Sequence, residues 1–372
     1  MRPETRTTLL KLHRWVGLAF AALLLVQGLS GALLVFREEI EGVIHPALAV
    51  MPAETRVPVQ SMVDTVREAA PRATLQRIKF AEDPARAAMF VMRLEDDAPW
   101  IVAVDPYNGR IVRAGSYAAW PGEWLFRLHD ALLAGKTGEI IVSIEGIALV
   151  FLVGFGVVIW WPGRRRLKSG FRILTGQGAD RTVRTAHRAV GAAIGIVLVM
   201  SGMTGALLIH RAALQPYLPV VPRPKFEVAL SPETPLRPVD TLLADAQSRH
   251  GPLPLREVRF SGAAGQVVAL YFQDESSRRP NATRQYFYNA YEGVELGRYE
   301  PAALPPMNTA YDWLFTIHTG KAGGLSGRLV VLAGGLSLVF FAGSGVWLWL
   351  SARRQRRARR AKAENRLARN AA

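Results

Sequence analysis

The chain has 372 residues, half of them hydrophobic, no cysteine and a formal net charge of +16. Such a composition excludes a disordered, collagen-like or disulfide-stapled protein. The missing cysteines exclude thiol catalysis, Cys-ligated zinc or iron–sulfur centres and covalent c-type haem, so any metal must sit on His, carboxylate or Met.

Four stretches have the length and apolarity of membrane helices: Val16 to Phe36, Ile140 to Trp161, Ala189 to Ile209 and Leu329 to Leu350. They divide the chain into an N-terminus with the first span (1–36), a long segment (37–139), the second span (140–161), a basic loop (162–188), the third span (189–209), a second long segment (210–328), the fourth span (329–350) and a basic tail (351–372). The first stretch follows Arg2, Arg6, Lys11 and Arg14 as a cleavable signal would, but its apolar run is too long for one, so it is expected to stay a membrane helix.

Charge fixes the expected orientation. Residues 1–15 carry four basic and one acidic group, residues 162–188 eight and one, residues 351–372 nine and one, while the two long segments come to −3 and +2. All the basic excess is in the short segments, which places both termini and the central loop in the cytoplasm and the long segments across the membrane. Arg164 to Arg166 and Arg353 to Arg369 then read as topology anchors at anionic lipid, and no nucleic-acid partner is expected.

Within the long segments, Thr65 to Ala70 and Leu242 to Gln247 read as short amphipathic helices. The first precedes strands at Leu75 to Phe80, Met89 to Leu94 and Trp100 to Val104, the second strands at Leu255 to Phe260, Val267 to Phe272 and Tyr286 to Asn289. Turns with glycine at a left-handed position are expected at 105–110 and 289–293. Neither segment holds a Ser/His/Asp grouping, a phosphate loop or a zinc signature, so both read as binding or docking domains.

An internal repeat organises these parts. His13-Arg14-x-Val16-Gly17 matches His187-Arg188-x-Val190-Gly191, and Gly28-x-x-Gly31-Ala32-Leu33-Leu34 matches Gly202-x-x-Gly205-Ala206-Leu207-Leu208, at one offset of 174, with Arg37 and Arg211 closing the blocks. Glu123-Trp124-Leu125-Phe126-x-x-His129 matches Asp312-Trp313-Leu314-Phe315-x-x-His318, and Gly154-x-Gly156 and Trp160 match Gly343-x-Gly345 and Trp349, at an offset of 189. The expected fold is an α+β membrane protein with four helices in two tandem parallel repeats, both first helices running outward. An inverted-repeat transporter has a different symmetry.

Four of the seven histidines fall at repeated positions. His13 and His187 open the outward helices on the cytoplasmic side; His129 and His318 precede the returning helices on the outer side, roughly 30 Å away at 1.5 Å of helix rise per residue. They form an inner and an outer pair. Two imidazoles from symmetry-related helices with glycine-lined faces suit a flat macrocycle whose iron takes two axial nitrogens, a ligation that favours electron transfer. Arg14 and Arg188, beside the inner pair, are placed to meet haem propionates. The other reading makes these side chains interfacial caps of helix ends. His210 stands where the first copy has Phe36 and reads first as an interfacial residue of the outer surface, with an alternate outer ligand as the second reading; His45 and His250 read as loop residues. Glu145, the one charge inside a span, is expected to reach water from the outer end, and Trp160, Trp161, Trp347 and Trp349 to form an aromatic belt.

The His-Arg-x-Val-Gly opening, the Gly-Ala-Leu-Leu close, the Trp-Leu-Phe-x-x-His block and the helix-plus-strand outer segments resemble the PepSY-associated transmembrane family over nearly the whole chain. Members similar to this are inner-membrane di-haem reductases of ferric siderophores with periplasmic PepSY domains. The resemblance implies two b-type haems held by His13, His187, His129 and His318, with an electron donor in the cytoplasm or the quinone pool and a ferric siderophore as acceptor. Reduction loosens such a complex because Fe(II) is a poorer partner for hard oxygen ligands. No Gly-x-Gly-x-x-Gly fingerprint is present, so a nicotinamide or flavin donor site is not expected within the chain. The rival reading is a non-enzymatic anchored PepSY pair that engages a periplasmic peptide, peptidase or siderophore; a small-solute permease fits four helices with one intramembrane charge poorly.

Overall fold

The structure, a computed structural model, describes residues 2–371 apart from 232, 278, 280 and 281. In chain order it forms α1 (Pro3–Leu34), α2 (Arg37–Ile44), α3 (Val59–Ala69), β1 (Thr74–Lys79), β2 (Ala88–Arg93), β3 (Pro99–Val104), β4 (Ile111–Ser116), α4 (Pro121–Ala131) and α5 (Gly135–Trp160). There follow α6 (Ala179–Ile209), α7 (Val239–His250), β5 (Leu255–Ser261), β6 (Val267–Gln273), β7 (Thr283–Asn289), β8 (Val294–Tyr299), α8 (Pro306–His318) and α9 (Gly324–Ala371). The chain divides into two compact units: Met1–Phe36, Leu125–Ala212 and Ile317–Ala372 make one, Arg37–Trp124 and Ala213–Thr316 the other.

In the first unit α1, α5, α6 and α9 are long and apolar enough to cross a membrane. They cover the four expected spans but for the last residues of the first two, since α1 ends at Leu34 and α5 at Trp160, and they run beyond them at the other ends, α5 beginning at Gly135 and α9 continuing through the basic tail. Small residues let backbones touch where the helices cross. A Cβ added at Gly28 on α1 would lie 2.6 Å from Gly335 O on α9, and Cβ atoms added at Gly146 on α5 and Gly202 on α6 would each lie 2.8 Å from the other's carbonyl oxygen. Gly28 and Gly202 are 174 residues apart, Gly335 and Gly146 are 189 apart, so both crossings use corresponding positions. Leu24, Leu149, Leu152, Leu198 and Leu338 fill the space between the helices.

Two expectations fail here. Glu145 does not reach water: it is 2% exposed, and neither carboxylate oxygen has a partner among the described residues. The cause is helical phase, because Glu145, Leu149 and Leu152 lie on one buried stripe of α5 while Ile144, Ile147 and Phe151 take the exposed side. Trp160 is likewise buried, its Nε1 donating to Gly170 O at 2.9 Å, and pins the basic loop; Trp161 and Trp347 are exposed as a belt requires.

In the second unit the strands of both long segments join in one antiparallel sheet of order β4-β3-β2-β1-β5-β6-β7-β8, where the sequence suggests two separate domains. The joint is β1 against β5, with Ile78 opposite Val258. Strands β4 and β8, mixed in polarity and not read from alternation, are the edges. α3 and α7 pack on one face of the sheet through Met62, Val63, Val66 and Leu242 over Ile78, Phe90, Val258 and Leu270. Each caps the other: Asp240 accepts from the Val59 and Gln60 backbone amides at 2.9 and 2.8 Å, and Gln60 Oε1 accepts from Val239 N at 3.0 Å. Gly109 and Gly293 take φ +73° and +75°, the left-handed turn positions expected. Arg37 on α2 donates to Glu123 on α4 at 2.6 Å and to Glu41 at 3.3 Å. Asp312, which corresponds to Glu123, lies 3.4 Å from Arg279 and 3.9 Å from Arg223.

Candidate functional site

The first unit brings all four repeated histidines together in pairs. His13 on α1 faces His187 on α6 with ring centroids 6.2 Å apart and planes at 83°. His129 on α4 faces His318 on α8, also at 6.2 Å, with planes at 48°.

Every ring is held by its Nδ1. His13 Nδ1 lies 3.0 Å from Leu152 O, which can only accept, so Nδ1 carries the hydrogen. His129 Nδ1 lies 2.9 Å from Ser30 Oγ, and that hydroxyl gives its own hydrogen to Val26 O at 2.7 Å. His318 Nδ1 meets Thr204 Oγ1 at 2.9 Å, with the hydroxyl donating to Met200 O at 2.7 Å. His187 Nδ1 meets Ser344 Oγ at 2.7 Å, with the hydroxyl donating to Phe341 O at 3.4 Å. In all four the Nδ1–H donates, which leaves the Nε2 lone pair to bind a metal, the arrangement by which ligand histidines are oriented and made more basic. Burial, and then the neighbouring His318, push the His129 imidazole down to about 3, and burial lowers His318 as well, so both outer rings are neutral.

Glycines make room for the rings. A Cβ at Gly31 would lie 2.9 Å from His129 Cε1, one at Gly205 3.2 Å from His318 Cε1, and one at Gly156 3.4 Å from His13 Cε1. Ser30-Gly31 and Thr204-Gly205 are thus the same two-residue device at the 174 offset: a hydroxyl to hold the ring and a glycine to admit it.

The spacing suits a metal ion between the rings. A transition metal binds imidazole nitrogen at about 2 Å and that nitrogen stands about 1.1 Å from its ring centre, so two rings on opposite sides of one metal have centroids about 6 Å apart. Both pairs meet that distance. Among the described residues no three His, Asp or Glu side chains gather as a metal cage, and each histidine pair by itself offers two nitrogens. Along α1, His13 and Ser30 are seventeen residues apart, as are His187 and Thr204 along α6, so the two levels are separated by about 25 Å.

Of the two arginines, Arg14 is half-buried, its guanidinium over Trp15 and its Nε without a partner among the described residues; Arg188 is exposed. Only Arg14 shows the orphan donor that a buried anionic group would satisfy. His210, at the C-terminal end of α6, is exposed and belongs to neither pair. His45 packs edge-on against Trp120. His250 is not a loop residue: it ends α7, stacks on Tyr286 at 3.9 Å and meets Glu295 at 2.9 Å. The sequence reading passed over Ser30, Thr204, Ser344 and Leu152. The recurrence of a hydroxyl before the second glycine of each block carried the signal for the first two; Ser344 corresponds to Phe155 and had none.

The sequence model described as "PepSY-associated TM region" matches residues 10–352. No curated protein matches the chain.

Proposed function

The chain belongs to the PepSY-associated transmembrane family, and from that premise we propose that it is a di-haem b electron-transfer protein of the bacterial inner membrane that reduces a periplasmic ferric siderophore. In this reading its four helices are two tandem parallel repeats, both termini are cytoplasmic and the two PepSY-like segments are periplasmic, as the distribution of basic residues favours. The observation that carries the proposal is the two pairs of imidazoles at 6.2 Å, each with Nδ1 engaged and Nε2 turned free.

His13 with His187 would hold one haem and His129 with His318 the other. A haem so held would supply one-electron transfer. The protein's own work is to fix geometry. Leu152 O, Ser30, Thr204 and Ser344 lock each ring's tautomer and angle, Gly31, Gly205 and Gly156 allow the approach, and the Arg14 guanidinium is placed to satisfy a propionate. Leucines fill the space between the helices and hold their backbones in place. The donor, a cytoplasmic reductant or a quinol, and the siderophore acceptor rest on the family resemblance.

Purified full-length protein from haem-replete cells should show reduced b-type α and Soret bands and about two haems per chain. Reduced protein mixed anaerobically with a ferric siderophore and an Fe(II) trap should then reoxidise as Fe(II) appears. A colourless, well-folded preparation sinks the reading and leaves an anchored binding module.

A further inference from the structure

Glu145 is the only Asp, Glu, Lys or Arg within the four spans, and the stretches 17–36, 189–209 and 329–350 around it contain no histidine either. It breaks the repeat, since the corresponding residue is Gly334. Among the described residues, the buried side-chain nitrogens and oxygens without a partner inside the spans are those of Gln27 and Glu145. Both stand at the level of the outer pair. Gln27 is three residues inward of Ser30, which holds His129. Gly146, next to Glu145, is pressed against Gly202 O, two residues from Thr204, which holds His318. Leu152, which serves His13, is seven residues away, about 10 Å along α5.

A carboxylate with neither oxygen hydrogen-bonded in an apolar interior is stable as an anion only beside a positive charge, and otherwise holds a proton. Ferric iron in a dianionic macrocycle between two neutral imidazoles has a core charge of about +1, and the ferrous form is neutral. Resting on the haem reading of the outer pair, we propose that Glu145 is a proton-binding site coupled to that centre. As the donor's electron reduces Fe(III) to Fe(II), one Glu145 oxygen forms an O–H bond with a proton from water; when the electron passes to the ferric acceptor, the proton leaves. The charge of carboxylate plus centre is zero before and after, so the electron arrives without creating a net charge in lipid. Of the other ionisable groups toward this level, His129 and His318 engage hydroxyls, Glu139 pairs with Lys136, one oxygen of Asp130 with Arg127, and Arg328 donates to Val35 O; His210, Arg211 and Lys321 lie further out, at the helix ends.

The test is a spectroelectrochemical titration of the haem-loaded full-length protein between pH 6 and 8. One component should change its reduction equilibrium tenfold per tenfold change in proton concentration, about 59 mV per pH unit for one electron. It should be the component that His13→Ala retains, while the other stays level. Glu145→Gln should abolish the dependence. Because that variant is open to misfolding, the unmodified protein supplies a second reading: its reduced-minus-oxidised infrared spectrum should gain a carboxylic-acid carbonyl band. Two haem components with level potentials, a slope kept in Glu145→Gln, or no acid band overturns the role of Glu145 and leaves the haem reading standing. Absence of any haem component overturns both.

Discussion

The inner and outer histidine pairs have the same 6.2 Å separation but are built differently. The outer rings come from the amphipathic helices α4 and α8 and are both held by hydroxyls at corresponding positions, Ser30 and Thr204. The inner rings rise from the spanning helices themselves and are held unequally, one by a main-chain carbonyl and one by Ser344. The contact recurs where the holding residue itself recurs, as the hydroxyls of Ser30 and Thr204 do. Where it does not, as at Phe155 and Ser344, the ring is held by whatever acceptor the neighbouring helix offers.

The largest expected effect separates the two levels. His13→Ala and His187→Ala should each remove the same spectral component and His129→Ala and His318→Ala the other, lowering haem from about two to about one per chain by pyridine haemochromogen assay. Loss of both components in every variant would mean that the pairs are not independent. His210→Ala should leave both in place.

Next come the glycines. Gly31→Ala should disturb its centre, the outer one, most, Gly205→Ala the same centre less and Gly156→Ala the inner centre least, in the order of the 2.9, 3.2 and 3.4 Å approaches to His129, His318 and His13. Haem retention on dilution measures this, and a reversed order would show that the rings, not the helices, yield. Crowding of this kind costs about 1–3 kcal/mol.

The holders sharpen the contrast. Ser30→Ala, Thr204→Val and Ser344→Ala each remove an acceptor for Nδ1–H, which should weaken binding of the metal group about 10–100-fold. His13 is exempt, because no substitution at Leu152 deletes its carbonyl. A Leu152→Ala variant should therefore keep the inner haem at near-normal affinity, read by competition with apomyoglobin.

The smallest effect concerns the second unit. Burial pushes Glu123 up, but the charge and hydrogen bond of Arg37 outweigh it and hold the carboxyl below its ordinary value. Its stabilising contribution is then present above the unfolded carboxylate range and lost as pH falls through the lower, folded value. Glu123→Gln should cost about 1–3 kcal/mol at neutral pH, and less in acid, as followed by thermal unfolding.

The four spans, the histidine pairing and most strands were legible because apolar length, repetition and alternation are local or self-referencing signals. Other features depend on what lies opposite. Helical spacing gives the depth of Glu145, but only the packing of α5 decides that this side is buried. Trp160 reads as a belt residue until Gly170 is seen to accept its proton. The joining of β1 to β5 is set by Ile78 meeting Val258 across 180 residues, and no turn sequence announces it.

That joint has a consequence for how the sheet meets other chains. An unpaired strand edge is a template for pairing with a further strand. Here β1 and β5 cover each other, and among the described residues the sheet's edges are β4 and β8, which carry Arg113 and Arg298. Either half of the chain taken alone would bare a central strand as well, so the halves expressed separately are expected to aggregate or to find each other again through it.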